Sequence, residues 1–197
     1  AYAREHRTGS NGKTEMWHIL RADPGARIAL GLRQTITAEK LREASISGEI
    51  MDFLNWIEVK PGETYYTPAR TIHAIGAGIA LCEIQQISDI TYRLYDYGRP
   101  RELHLDRSVA VSSLEAYKPA DIDTCPYFRT ERIEADGPVE IDVPWPAILI
   151  CLQGEGMLDG TGIYRLGEAW HIANSTVRIA PSETSQFLLT HVPPRYS

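Results

Sequence analysis

Cysteine is scarce: the 197 residues hold three, Cys82, Cys125 and Cys151, with no Cys-x-x-Cys spacing. An odd, scattered set argues against both a disulfide framework and a thiolate zinc site. Cys82 and Cys151 sit in apolar runs, where cysteine usually acts as a small core residue. A reducing, cytoplasmic setting is therefore expected. Apolar runs of about 18 residues are missing, so no membrane-spanning helix is expected. No basic-then-apolar leader opens the sequence, and no secretory signal is visible. Basic residues are the minority, 20 against 26 acidic, for a net charge of −6. No Lys/Arg cluster is dense enough for a nucleic-acid groove, so nucleic acid is not an expected partner. Any bound phosphate must be held by a few placed cations. The first residue is Ala1 rather than Met, and the sequence is expected to begin downstream of its translation start.

What remains is ordinary for a soluble globular chain: 43% hydrophobic and 23% charged residues. The length suits one large domain or two small ones, with a real core. Most segments read as strands. Lys13 to Leu20 alternates, and Ala26 to Leu32 is short and apolar between glycines. Thr37 to Ala44 opens with a capping threonine and acidic first-turn residues, as helices do. Glu49 to Ile57 places Ile50, Phe53, Leu54 and Ile57 at helical spacing. These two helices form an expected insert over about 37–57. After the Lys60-Pro61-Gly62-Glu63 turn, strands return through Ile75, and a long run follows from Ile79 to Tyr97. Gly98 to Arg107 reads as a polar connection.

From about Val139 a second block of short strands and Gly/Pro turns begins. Each block carries a Gly-Glu turn ahead of a strand, at Gly62-Glu63 and Gly167-Glu168. The pattern predicts a mainly β protein of two tandem jelly-roll barrels with a small helical insert. Residues 1–100 form the expected catalytic barrel, and 101–197 a connection and a second, non-catalytic jelly-roll. His171 and Trp170 in that second block read as structural, and Glu168 as a turn residue.

Three segments carry polar groups that a dry core would not tolerate. Strand alternation sends Lys13, Glu15 and Trp17 to one face. Either this is a solvent-facing ion pair on an edge strand, or Glu15 is a buried carboxylate that needs a cation beside it. His73, among small and apolar residues, is either a hydrogen-bonded core histidine or a ligand. If the run from Ile79 stays extended, Glu83, Gln85, Asp89, Thr91 and Arg93 share one face, and Arg99 keeps the same parity. Such a face must line a wet cavity.

The stretches Gly12 to Trp17, Pro68 to Gly76 and Glu83 to Arg99 resemble the signature strands of type I mannose-6-phosphate isomerases in their short bacterial form. The resemblance runs in order over nearly the whole chain. It implies a cupin (jelly-roll) fold and interconversion of mannose 6-phosphate and fructose 6-phosphate through an enediol. It also implies one zinc ion, held in that family by a Gln-x-His pair, a glutamate and a later histidine. Glu15 matches the glutamate and His73 the later histidine, while the Gln-x-His strand is expected ahead of Ala1. With those two ligands alone, weak metal binding is expected. His6, in the charged stretch Arg4-Glu5-His6-Arg7, is not expected to substitute. Arg93 matches the family's catalytic arginine, and Lys13 and Arg99 match cations near the substrate. Glu83 is counted with the substrate-binding residues and is one of several possible bases. Arg70 departs from a common glycine, and His18 from a frequent tyrosine. A non-catalytic cupin that binds sugar or sugar phosphate is the alternative reading.

Overall fold

The structure, a computed structural model, describes Glu5, residues 11–173 and residues 175–193. The chain divides into two compact units, Ala1–Ile122 and Asp123–Ser197. Residues 101–122 fall within the first. The fold is mainly β, of the jelly-roll type, and the pairings between the strands named below are antiparallel.

In the first unit, β1 (Glu15–Ala22) lies between β4 (Thr64–Thr67) and β6 (Ile79–Gln85). A second sheet has β2 (Arg27–Leu32) between β3 (Leu54–Glu58) and β5 (His73–Ile75). Alternation along β2 points Ile28 and Leu30 toward Trp17 and Ile19 of β1, building a core between the sheets with Val59. Ala29 and Leu32 belong to a separate cluster with Leu41, Ala44, Ile50 and Leu54. Both faces of β2 are thus covered, which is why it reads as an unbroken apolar run.

The helical insert is shorter than expected. Helix α1 (Ala38–Ser47) starts at Thr37, whose side chain accepts from the Lys40 amide at 3.1 Å. It ends at Gly48, which adopts a left-handed φ of 90° while its N–H closes on the Ala44 carbonyl. Helix α2 (Ile50–Phe53) then stops, and residues expected to stay helical through Ile57 form β3. Pairing decides the outcome: β2 needs a partner, and Ile57 and Trp56 lie opposite Ile28 and Ala29.

The expected strand from Ile79 to Tyr97 also ends early, at Gln85. The Gln86 amide still reaches the Thr14 carbonyl at 3.0 Å, but β1 supplies no partner beyond. Asp89, Thr91 and Arg93 therefore do not extend the face that carries Glu83 and Gln85. Within the supposed connection, Leu105–Val111 forms helix α3, which sets Leu105 and Val109 against the cluster around Leu41.

In the second unit, β7 (Arg129–Ala135), β9 (Ala147–Gln153), β12 (Ala169–Ile172) and β14 (Ser185–His191) make one sheet, in the order β12-β9-β14-β7. The other has the order β11-β10-β13-β8, from β8 (Val139–Val143), β10 (Glu155–Leu158), β11 (Gly162–Arg165) and β13 (Ser175–Pro181). Their shared core includes Leu149, Cys151, Tyr164, Ile179 and Phe187. The block starts at β7, earlier than the expected Val139, because Arg129–Ala135 is too polar to read as a strand without its partner β14. Among the described residues, no helix is long and apolar enough to cross a membrane.

Gly156 is packed directly against backbone in this unit. A Cβ there would lie 2.4 Å from the Ala180 carbonyl oxygen and 2.7 Å from Pro181 Cα, backbone atoms that cannot swing aside. Gly156→Ala is expected to cost about 1–3 kcal/mol of stability in urea denaturation. An unchanged midpoint would contradict this packing.

Candidate active site

The register of β1 against β6 sets Trp17 opposite Glu83 and Glu15 opposite Gln85. Residues directly opposite share a face, so Glu15, Trp17 and Glu83 project together. His73 enters from the other sheet, on β5, opposite Leu30 of β2. Its ring meets that of Trp17 edge-on, with centroids 5.3 Å apart.

The two carboxylates are clamped between the same two donors. Lys13 Nζ donates to Glu15 Oε1 at 2.6 Å and to Glu83 Oε1 at 3.3 Å. The Trp17 indole Nε1 donates to Glu15 Oε2 and to Glu83 Oε2, each at 3.0 Å. Glu15 is 1% exposed and Glu83 31%, so only the second meets solvent freely. Of the two sequence-level alternatives for Glu15, the buried carboxylate is the one found. Burial alone would lower the Lys13 pKa, but the hydrogen bonds and charges of Glu15 and Glu83 together outweigh it and raise the pKa.

His73 Nδ1 lies 2.8 Å from the Thr71 carbonyl oxygen, which can only accept. Nδ1 therefore carries a proton, which leaves Nε2 as the nitrogen whose lone pair a neutral ring would present. Nε2 faces Glu15 Oε1 at 3.5 Å. With Nε2 unprotonated, two acceptors so placed call for a cation or a proton between them. Zinc ligands about 2.0–2.1 Å from the ion at a tetrahedral angle are roughly 3.3–3.5 Å apart. Glu15 and His73 thus fit as two of the ligands of such an ion by donor type and separation. Thr67, opposite Glu15 on β4, adds a buried hydroxyl without a described hydrogen-bond partner. Among the described residues there is no group of three or more His, Cys, Asp or Glu side chains arranged around one metal position. His6 lies outside the described residues.

Arg93 and Arg99 belong to a different group. Arg93 Nη1 donates to the Glu102 carbonyl at 3.1 Å, and Arg99 binds Asp96. Among the described residues neither is ion-paired to Glu15, and Arg93 forms no ion pair at all. Sequence reading missed Asp96, Arg101 and His104, which organise this loop. The signal was the Asp-x-x-Arg-x-Arg spacing over 96–101. Arg70 adopts a left-handed φ of 81°, which accounts for the suitability of glycine at that position, and its Nε donates to the Val111 carbonyl at 2.8 Å. His18, the other departure, contacts the Thr64 hydroxyl through Nδ1 at 2.8 Å.

A groove of about 560 Å³ lies elsewhere, on the second unit, lined by Val139, Met157 and Arg178 among others. Its one arginine is shared between two carboxylates, Arg178 pairing with Glu140 at 2.7 Å and Asp159 at 3.6 Å. It offers no chemistry comparable to the Glu15 cluster.

Trp17→Phe leaves one oxygen of each carboxylate without its donor and is expected to destabilise the protein by about 1–3 kcal/mol in chemical denaturation. The stability contributed by Lys13, whose pKa rises on folding, is fully present at about pH 8 and is lost as pH climbs through the raised value. The stability gap between wild type and Lys13→Met should therefore narrow in strongly alkaline buffer. A gap independent of pH would refute the clamp.

No protein-family model matches the chain. The curated mannose-6-phosphate isomerase ManA of Bacillus subtilis is 35% identical over 193 residues, which cover 87% of this chain and 61% of that protein. The crystal structure of the Bacillus subtilis mannose 6-phosphate isomerase superposes with a TM-score of 0.87 and 28% identity, over 97% of this chain and 68% of that one. A mannose 6-phosphate isomerase structure described as bound with zinc and yttrium shares the fold, with a TM-score of 0.70 and 17% identity over 93% of this chain and 67% of that one. The chain spans about three-fifths of the length of its curated Bacillus relative. On sequence and fold together, it is similar to mannose-6-phosphate isomerases over most of its length.

Proposed function

We propose that this chain carries the reacting groups of an isomerase that interconverts mannose 6-phosphate and fructose 6-phosphate through an enediol. The observation that carries the reading is the 3.5 Å approach of His73 Nε2 to the buried Glu15 Oε1, in a chain 35% identical to such an isomerase. Glu15 and His73 would hold a divalent ion, zinc by analogy with the structure bound with zinc and yttrium. When bound, such an ion supplies Lewis acidity for the oxygens of the enediol. Lys13 already spans both carboxylates, so it can stay with Glu83 while Glu15 turns to the ion.

Glu83 is the carboxylate within reach of solvent, and it suits a substrate hydroxyl. With one donor already on each of its oxygens, it still has lone pairs to accept a hydroxyl proton. Arg93 keeps guanidinium donors beyond the one held by Glu102, and these suit the oxyanion that develops as the proton moves between C1 and C2. Arg99 suits the phosphate, since a planar guanidinium matches phosphate oxygens in pairs. The second unit serves as a non-catalytic jelly-roll. Three free cysteines, two of them buried, fit a cytoplasmic protein.

The test is a coupled assay of fructose 6-phosphate formation by the full gene product. EDTA should abolish activity and zinc restore it, and Glu15→Gln should be inactive under both conditions. Arg93→Ala should lower kcat by about 100-fold. Wild-type activity in Arg93→Ala, or in the EDTA-treated enzyme, would sink the reading.

A further inference from the structure

The Trp17 side chain stands where both carboxylates and the imidazole of the Glu15 cluster meet. It is 1% exposed and packs with Ile19, Ile28, Leu30 and Val59 in the core between the sheets of the first unit. A buried indole needs one acceptor for its N–H. Trp17 has two, Glu15 Oε2 and Glu83 Oε2, at the same 3.0 Å, and each belongs to a carboxylate. Trp56, by contrast, gives its N–H to the Met51 carbonyl at 3.1 Å, which is all that burial requires.

The indole makes the two oxygens of Glu15 unequal. Among the described residues Oε2 accepts from the indole alone, while Oε1 lies 2.6 Å from Lys13 Nζ and 3.5 Å from His73 Nε2. Lys13 can transfer to Glu83, which it already reaches at 3.3 Å. The indole is fixed by the core around it and cannot follow a departing carboxylate. A carboxylate held by one oxygen presents the other singly, and ligating carboxylates are commonly hydrogen-bonded in this way. Glu83 is tied through the same hydrogen, so one donor sets the spacing of the two carboxylates. The ring also lies edge-on to His73, with centroids 5.3 Å apart, and so borders the second ligand as well.

We propose that Trp17 is a positioning residue of this site: its indole N–H holds Glu15 by Oε2, so that Oε1 alone meets a divalent ion beside His73 Nε2. The same N–H sets Glu83 next to that ion. The role rests on the reading of Glu15 and His73 as ligands given above, and it does not depend on which sugar is turned over. Two simpler roles predict different outcomes. If Trp17 only fills the core, Trp17→Phe lowers stability and leaves the metal affinity of the folded protein unchanged. If the indole only draws charge from Glu15, losing it makes Oε1 the stronger ligand and tightens the ion. If it positions the carboxylate, the same change weakens the ion.

Zinc affinity can be measured by chelator competition on the metal-stripped full gene product. Wild type, Trp17→Phe and Trp56→Phe are compared, each checked for folding by circular dichroism. Wild type should bind zinc, Trp17→Phe about 10-fold more weakly, and Trp56→Phe like wild type. With zinc saturating, kcat/KM for mannose 6-phosphate should stay about 10-fold low in Trp17→Phe, because excess metal restores occupancy but not the setting of Glu83. A folded Trp17→Phe that binds zinc as tightly as wild type, or tighter, overturns the proposal. An equal loss in Trp56→Phe, a wild type that binds no zinc, or full recovery of kcat/KM in excess zinc does so too. Should Trp17→Phe not fold, the wild-type indole resonance of Trp17 decides, identified by its contact with the His73 ring. It should shift when stoichiometric zinc is added, and a resonance that stays in place overturns the proposal. Trp17-dependent zinc binding without isomerisation would sink the isomerase reading and leave the positioning role intact. Isomerisation by a protein whose zinc affinity ignores Trp17→Phe would do the reverse.

Discussion

A carboxylate removed from water must be met by donors on both of its oxygens, and Glu15 is removed almost completely. The first unit is arranged to meet that requirement. Trp17 shares a face of β1 with Glu15 and Lys13 lies just ahead of that strand, so no long-range search is needed to place them. Glu83 comes from the neighbouring strand and shares both donors, which ties β1 to β6 through side chains as well as through the ladder. His73 comes from the facing sheet and sets Nε2 3.5 Å from Glu15 Oε1, a separation that suits a cation or a proton between them. A purely structural ion pair would not need that last feature, and buried pairs are in any case weak evidence for stability.

The loop beyond β6 solves a different problem by similar means. There a buried aspartate orients two exposed guanidinium groups, so the fixed charge is inside and the free donors are outside. Thus the β1–β6 face concentrates acceptors and the 93–104 loop concentrates cations.

Much of this was legible in the sequence, for identifiable reasons. Period-two alternation placed Lys13, Glu15 and Trp17 together, and an acid two residues from a tryptophan is odd enough in a strand to be noticed. Thr37 announced α1 through its capping chemistry. What failed was whatever depended on partners distant in the chain. Leu54–Glu58 carries helical spacing locally but pairs with β2, and Asp89–Arg93 alternates like a strand but has no neighbour to bond. Asp96 and Arg101 were passed over because a polar loop conceals burial: nothing in the residue order says that one charged side chain is covered and the next two are not.

The account stands on the orientation of one imidazole. Proton–nitrogen correlation spectra of the His73 ring, recorded before and after adding stoichiometric zinc, test it most directly. The account predicts a neutral ring protonated at Nδ1, with a bare Nε2 whose resonance moves sharply when zinc is added. A ring protonated at Nε2 instead, or an Nε2 signal indifferent to zinc, would contradict it.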